Sequence, residues 1–203
     1  MAKKNDSEVP QIMAFRSAEE WERWLATNHD SSTGIWIRFF KKHTARPSVT
    51  YAEALLGALC YGWIDGQIRK YDDESWIHRF TPRRPRSIWS KRNCQFVEQL
   101  IEAGKMLPAG LKEIEAAKAD GRWDKAYDSP SAMTVPDDFL KALARNKSAN
   151  RFFQTLNKAN VYAIAWRLQT AKKPETRQRR MEAILQMLAD GKRFHEKKPK
   201  PAG

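Results

Sequence analysis

Three segments of this chain carry strand-type patterning, and all three fall between residues 34 and 81. Gly34 leads into IWIRFFKK, an aromatic and β-branched run that reads as a strand over residues 34–41. WIDGQIRKY and SWIHRFT read as two more, over 63–71 and 75–81, joined by the acidic turn Asp72-Asp73-Glu74. An alternative makes Asp65-Gly66 the hairpin turn, since Asp-Gly suits a type I′ turn, at the cost of a very short first arm. Everything later in the chain has helical patterning. The sheet is therefore small and must bury a face against helices. The expected fold is α+β and mostly helical: a small antiparallel sheet packed on helices, plus a C-terminal helical module.

The helices announce themselves by their caps. Ser17 with Glu20, and Thr50 with Glu53, have the spacing of capping boxes. The first precedes Trp21, Trp24 and Leu25; the second precedes Ala54, Leu55, Ala58 and Leu59 and a stop near Gly62. SKRNCQFVEQLIEAGKM and PAGLKEIEAAKADG supply two further helices. Ser129 to Pro136 has the composition of a linker. Four helical segments follow, the last opened by Pro174 and lined by Met181, Ile184, Leu185 and Leu188. The resulting organisation is a mobile N-terminus (1–14), an α+β domain (15–128), a linker (129–136), a helical module (137–195) and a basic tail (196–203).

Several function classes are disfavoured at this level. Nothing approaches the roughly 18 consecutive apolar residues of a membrane span, and MAKKNDSEVPQIMAF lacks the apolar run of a signal peptide. A cytoplasmic location is expected, with the two cysteines, Cys60 and Cys94, reduced. The four histidines are scattered without metal-ligand spacing, so no metal site is expected. There is no phosphate-binding loop, dinucleotide fingerprint or nucleophile elbow, and no cofactor is assigned.

Charge is the remaining signal. Of a net +13, residues 128–203 carry +9. A second island is RFTPRRPRSIWSKRN, where Arg79, Arg83, Arg84, Arg86, Lys91 and Arg92 occur without an acid. A helix beginning near Ser87 or Ser90 would gather Arg84, Arg86, Lys91 and Arg92 at its positive end, an unfavourable placement that a bound oxyanion relieves. The competing reading has these cations solvated, or paired with Asp72, Asp73 and Glu74. Strand alternation puts Ile64 and Ile68 on a core face and Trp63, Asp65, Gln67, Arg69 and Tyr71 on the other. Together these residues make a candidate site for a small phosphate- or carboxylate-bearing ligand: Trp63, Asp65, Gln67, Arg69, Arg83, Arg84, Arg86, Ser87, Trp89, Ser90, Lys91, Arg92 and Asn93. Asp65 is the candidate acid or base, and an Asp65–Arg69 pair tying the sheet is the structural alternative. Nucleic-acid binding through the basic C-terminal helices, with Arg177, Arg179 and Arg180, is a second functional reading. An enzyme of unrecognised class acting through Asp65 is a third.

LCYGWIDGQIRKYDDE, FTPRRPRSIWSKRN, LIEAGKMLPAGLKEIEAAKADGRWDKAY and AKKPETRQRRMEAILQMLADGK resemble the bacterial YdeI/OmpD-associated, or bacteriocin-protection, proteins. The resemblance runs over about residues 15–195. It implies a stress or bacteriocin-resistance accessory role and association with an outer-membrane porin, with no catalytic residues assigned.

Overall fold

Hydroxyl side chains start the first two helices where their spacing in the sequence places them. Thr50 and Glu53 form a complete capping box at the head of α2 (Tyr51–Cys60). Ser17 caps α1 (Ala18–Asn28) by accepting from the Glu20 N–H. Glu20 reaches one residue further back than expected, taking the Arg16 N–H at 2.7 Å. The computed structural model describes residues 11–128 and 132–196. The N-terminus to residue 10, residues 129–131 of the expected linker and the tail from 197 lie outside the described residues. The chain divides into two units, Met1–Ala126 and Tyr127–Gly203.

The first unit contains the sheet. Its strands are β1 (Ile12–Met13), β2 (Ile35–Phe40), β3 (Trp63–Lys70) and β4 (Ser75–Pro82), in the order β1-β2-β4-β3. The two long pairings are antiparallel, but β1 joins β2 in parallel and makes the sheet mixed. β1 lies inside the segment expected to be a mobile N-terminus. Two residues carry too little periodicity to be read as a strand.

The turn between β3 and β4 is the acidic one, and Asp65-Gly66 lies within β3. Asp65 faces Phe80 and Ile68 faces His78, so three steps on β3 match two on β4. Gly66 and Gln67 together oppose Arg79, which is a β-bulge. The extra residue reverses the alternation. Ile64 and Ile68 consequently sit on opposite faces, and Ile68, expected in the core, is 64% exposed on an edge strand. Trp63, expected on the polar face, is buried.

Two cores share α2. Ala54 and Ala58 pack toward the sheet with Trp21, Leu25, Ile35, Ile37, Phe39, Trp63 and Phe80. Leu55, Leu59 and Cys60 face Trp89, Cys94, Val97, Leu100, Ile114 and Ala117, contributed largely by α3 (Lys91–Glu102) and α4 (Pro108–Ala119). A helix apolar on so much of its circumference has to be interior. The second unit consists of α5 (Asp137–Ala144), α6 (Lys147–Phe153), α7 (Lys158–Gln169) and α8 (Pro174–Ala189). Phe139, Leu143, Ala149, Ile164, Leu168, Ile184 and Leu188 form its core, and Met181 and Leu185 are partly buried against it. Asn146 and Asn157 cap α6 and α7, and Pro174 occupies the first turn of α8. Among the described residues no helix is long and apolar enough to cross a membrane.

Gly110 lets α4 approach the C-terminal end of α2. A Cβ at this position would lie 2.5 Å from the Cys60 carbonyl oxygen and 2.7 Å from that of Leu59. Gly110→Ala gains helix propensity but forces backbone apart, and the clash dominates. Urea unfolding of G110A is expected to show a loss of about 1–3 kcal/mol. Stability equal to the parent would show that α4 can shift freely.

Candidate functional site

The bulge divides the expected polar row in two. Trp63 and Asp65 stay on the face of Phe80, whereas Arg69 lies opposite Ile77 on the other face. There the Arg69 guanidinium sits 4.7 Å over the Trp36 ring and donates to Gln67 Oε1 at 3.0 Å. Tyr71 lies 4.5 Å beneath the Arg38 guanidinium. The alternative Asp65–Arg69 pair therefore does not form. Trp63 is a core residue, its indole N–H donating to the His29 carbonyl at 3.0 Å, and it cannot wall a ligand site.

Asp65 has other partners. The Tyr51 hydroxyl donates to its Oδ2 at 2.8 Å, and His78 Nε2 lies 3.5 Å from the same oxygen. The Tyr51 and His78 rings stack at 5.1 Å and 5°. His78 Nε2 is also 3.2 Å from the Gly66 carbonyl, so the geometry assigns it the proton, donated to that oxygen. The other ring nitrogen, Nδ1, is buried without a hydrogen-bond partner among the described residues. Charging the ring would place a second N–H there with nothing to accept it. Burial accordingly lowers the His78 pKa below its ordinary value, opposed by the Asp65 carboxylate and the Gly66 carbonyl. Tyr51, Asp65 and His78 thus join α2, β3 and β4 in one hydrogen-bonded cluster. Sequence reasoning missed Tyr51 and His78. A signal existed: alternation in β4 sets His78 between Trp76 and Phe80 on an otherwise aromatic face.

The basic stretch separates by burial. Arg83 is buried 3.4 Å over the Trp89 ring and donates to the Ile88 carbonyl at 3.3 Å. Trp89 packs 5.0 Å from Trp123 in the second core. Ser90 caps α3 by accepting from the buried Asn93 at 3.1 Å, and Ser87 closes a turn by accepting from the Arg84 N–H at 2.9 Å. These residues build the turn. Arg84, Arg86, Lys91 and Arg92 project outward, and Arg92 lies 5.1 Å over Phe96. The acids of the preceding turn are engaged elsewhere: Asp72 with Arg38, Asp73 with Lys70 and Glu74 with Arg46.

A cleft of about 520 Å³ opens beside α1 and α2, lined by Glu22, Glu53, Leu56, Gly57, Cys60 and Lys105 among others. None of the expected anion-binding residues reaches it. Burial, and then the Glu22 carboxylate, push the Cys60 thiol up to about 11. Burial does the same to Cys94.

The second unit also rearranges its expected site. Arg177 forms a two-pronged pair with Asp138. Arg180 donates to the Arg167 carbonyl at 2.8 Å, and of the three only Arg179 is exposed, the other two being half-buried. They do not make one basic stripe.

Residues 132–191 match the family model described as "Bacteriocin-protection, YdeI or OmpD-Associated". Residues 13–113 match a separate model, a domain of unknown function (DUF8412). AKKPETRQRR falls within the YdeI/OmpD-associated match, and GWIDG and PRRPRSIWSKRN fall within the other. No curated protein and no solved structure matches the chain. Among the described residues no group of histidine, cysteine and carboxylate side chains is arranged to hold a metal ion.

The depressed His78 pKa fixes the sign of one pH effect. The folded chain binds this proton more weakly than the unfolded chain, so stability is full above about pH 6.5 and falls as pH drops through that value. Urea unfolding between about pH 7 and 5 is expected to show this loss, and His78→Phe to flatten it. An unchanged slope in H78F would assign the effect to other groups. The raised thiol pKa values predict that neither cysteine reacts with an aromatic disulfide reagent at about pH 8 until the chain is unfolded. Rapid labelling of either thiol in the folded protein would contradict their burial.

Proposed function

We propose that this chain is a bacteriocin-protection accessory protein that acts by binding a phosphate- or carboxylate-bearing ligand at the 84–92 turn. One observation carries the reading. The acids of the preceding turn are committed to Arg38, Lys70 and Arg46, while Arg84, Arg86 and Arg92 have no carboxylate partner among the described residues. Guanidinium forks are well matched to oxyanions, and a cluster of them without internal counter-charge attracts anions from solution. Because these side chains project outward and do not line the cleft beside α1 and α2, the reading favours a ligand with several anionic groups over one engulfed in a cavity. Porin association rests on the family name alone.

Inorganic pyrophosphate is a suitable probe. Titration calorimetry at low salt is expected to detect binding that weakens as salt rises. Arg84→Ala with Arg86→Ala should weaken it about tenfold, a loss of about 1.4 kcal/mol, with an unchanged unfolding curve. Absence of binding to the parent protein, or equal binding by the double variant, sinks the reading.

A second reading, acid–base chemistry at Asp65, is supported by the Tyr51 hydroxyl and the His78 ring that hold its carboxylate. The nucleic-acid alternative has less support, because Arg177 is paired with Asp138 and Arg180 is turned toward Arg167.

A further inference from the structure

We propose that the cleft between α7 and α8 binds a small carboxylate with an apolar body, such as a medium-chain fatty acid. The cleft measures about 410 Å³ and is lined by Trp166, Arg167, Arg180, Ala183, Met187 and Phe194, with Ile184 at its base. On α8 the lining residues recur at i, i+3, i+4 and i+7 (Arg180, Ala183, Ile184, Met187), so one helical face carries them all. α7 adds Trp166 and Arg167, and Phe194 comes from the segment after α8.

The polar end of the cleft is two guanidinium groups. Arg167 lies 3.8 Å over the Phe194 ring and donates to the Ala163 carbonyl at 3.0 Å. Arg180 donates to the Arg167 carbonyl at 2.8 Å. Neither pairs with a carboxylate among the described residues. Two nearby acids have partners of their own: Glu182 with Gln178, and Asp190, just past α8, with Gln186 and Lys192. Burial and then Arg180 lower the Arg167 pKa, yet a guanidinium does not lose its proton at physiological pH. Both positive charges therefore persist at this end of the cleft, where they attract an anion.

Each arginine presents a rigid fork of donors and commits one donor group to a backbone carbonyl. The remaining donors suit the two oxygens of a carboxylate. The rest of the wall is indole, thioether and phenyl, which offer an apolar body van der Waals contact and no hydrogen bonds. Methionine in such a wall adapts to different shapes. A mostly apolar cavity with a few convergent charges is the usual construction of a small-molecule site. A free phosphate would leave these walls wet, and a neutral alcohol would leave the charges unmet. The carboxylate amphiphile satisfies both halves.

The site lies in the other unit from the 84–92 turn and does not depend on it. Octanoate, octanol and inorganic phosphate are the probes, applied to the full chain by thermal shift and by the ¹³C-methyl signal of Met187. Octanoate is expected to stabilise the protein and shift Met187, octanol and phosphate to bind at least tenfold more weakly. Arg180→Gln should weaken octanoate at least tenfold, and Ala183→Phe should abolish binding by filling the cleft while leaving both charges in place. Ala183 is exposed, so A183F tests the site even if R180Q is destabilised. The Arg84→Ala/Arg86→Ala variant should bind octanoate normally. The proposal is overturned if octanoate does not bind, if octanol or phosphate binds equally well, or if A183F binds as the parent does.

Discussion

Two indole N–H groups hold the first unit together. Trp21 and Trp63 are both fully buried, and such a side chain brings about 4–6 kcal/mol of transfer free energy into the core only if its N–H finds an acceptor. Trp21 donates to the Ala54 carbonyl at 3.0 Å, and Trp63 donates to the His29 carbonyl at 3.0 Å. The first bond ties α1 to α2 and the second ties β3 to the end of α1. Trp24 stacks on Trp21 at 5.3 Å and meets Trp63 edge-on at 5.7 Å, while Phe80 closes against Trp21 at 5.8 Å. With α2 held in this way, Tyr51 at its start reaches Asp65, and Leu55 and Leu59 meet α3 and α4 on the other side.

The bulge at Gly66–Gln67 determines which polar groups meet. A regular strand would have presented Asp65, Gln67 and Arg69 together, close to a ligand-binding row. One extra residue instead sends Asp65 toward His78 and Arg69 toward Trp36. Bulges commonly re-aim a side chain in this way. Here the result is a cluster in which a neutral, buried imidazole is stacked on a phenol and set beside a carboxylate.

Charge follows a similar logic in both units. Where an acid lies within reach, an arginine pairs with it and its field is neutralised locally, as with Arg38–Asp72 and Arg177–Asp138. Where none does, the cations remain a field that acts on the surroundings. Among the described residues, exposed Arg84, Arg86 and Arg92 and the half-buried pair Arg167–Arg180 are the two instances on which binding readings rest. They differ in what surrounds them: water in the first case, aromatic and thioether walls in the second.

Local rules, read from the sequence alone, determined the helix starts, the three long strands, the acidic hairpin turn and the mostly helical α+β class. Caps, prolines and periodicity act over a few residues, so a chain segment carries its own evidence. The resemblance in AKKPETRQRR was equally local, and it lies within the YdeI/OmpD-associated match. Tertiary structure alone decided the parallel β1, the reversal of faces at Gly66, the burial of Arg83 over Trp89 and the meeting of Tyr51 with Asp65 and His78. It also brought Arg167 beside Arg180. Each of these depends on residues distant in the chain or on one extra residue in a strand, and neither leaves a period in the sequence. The proposed binding sites rest on which charges lack a partner, and partnership is a property of the folded chain.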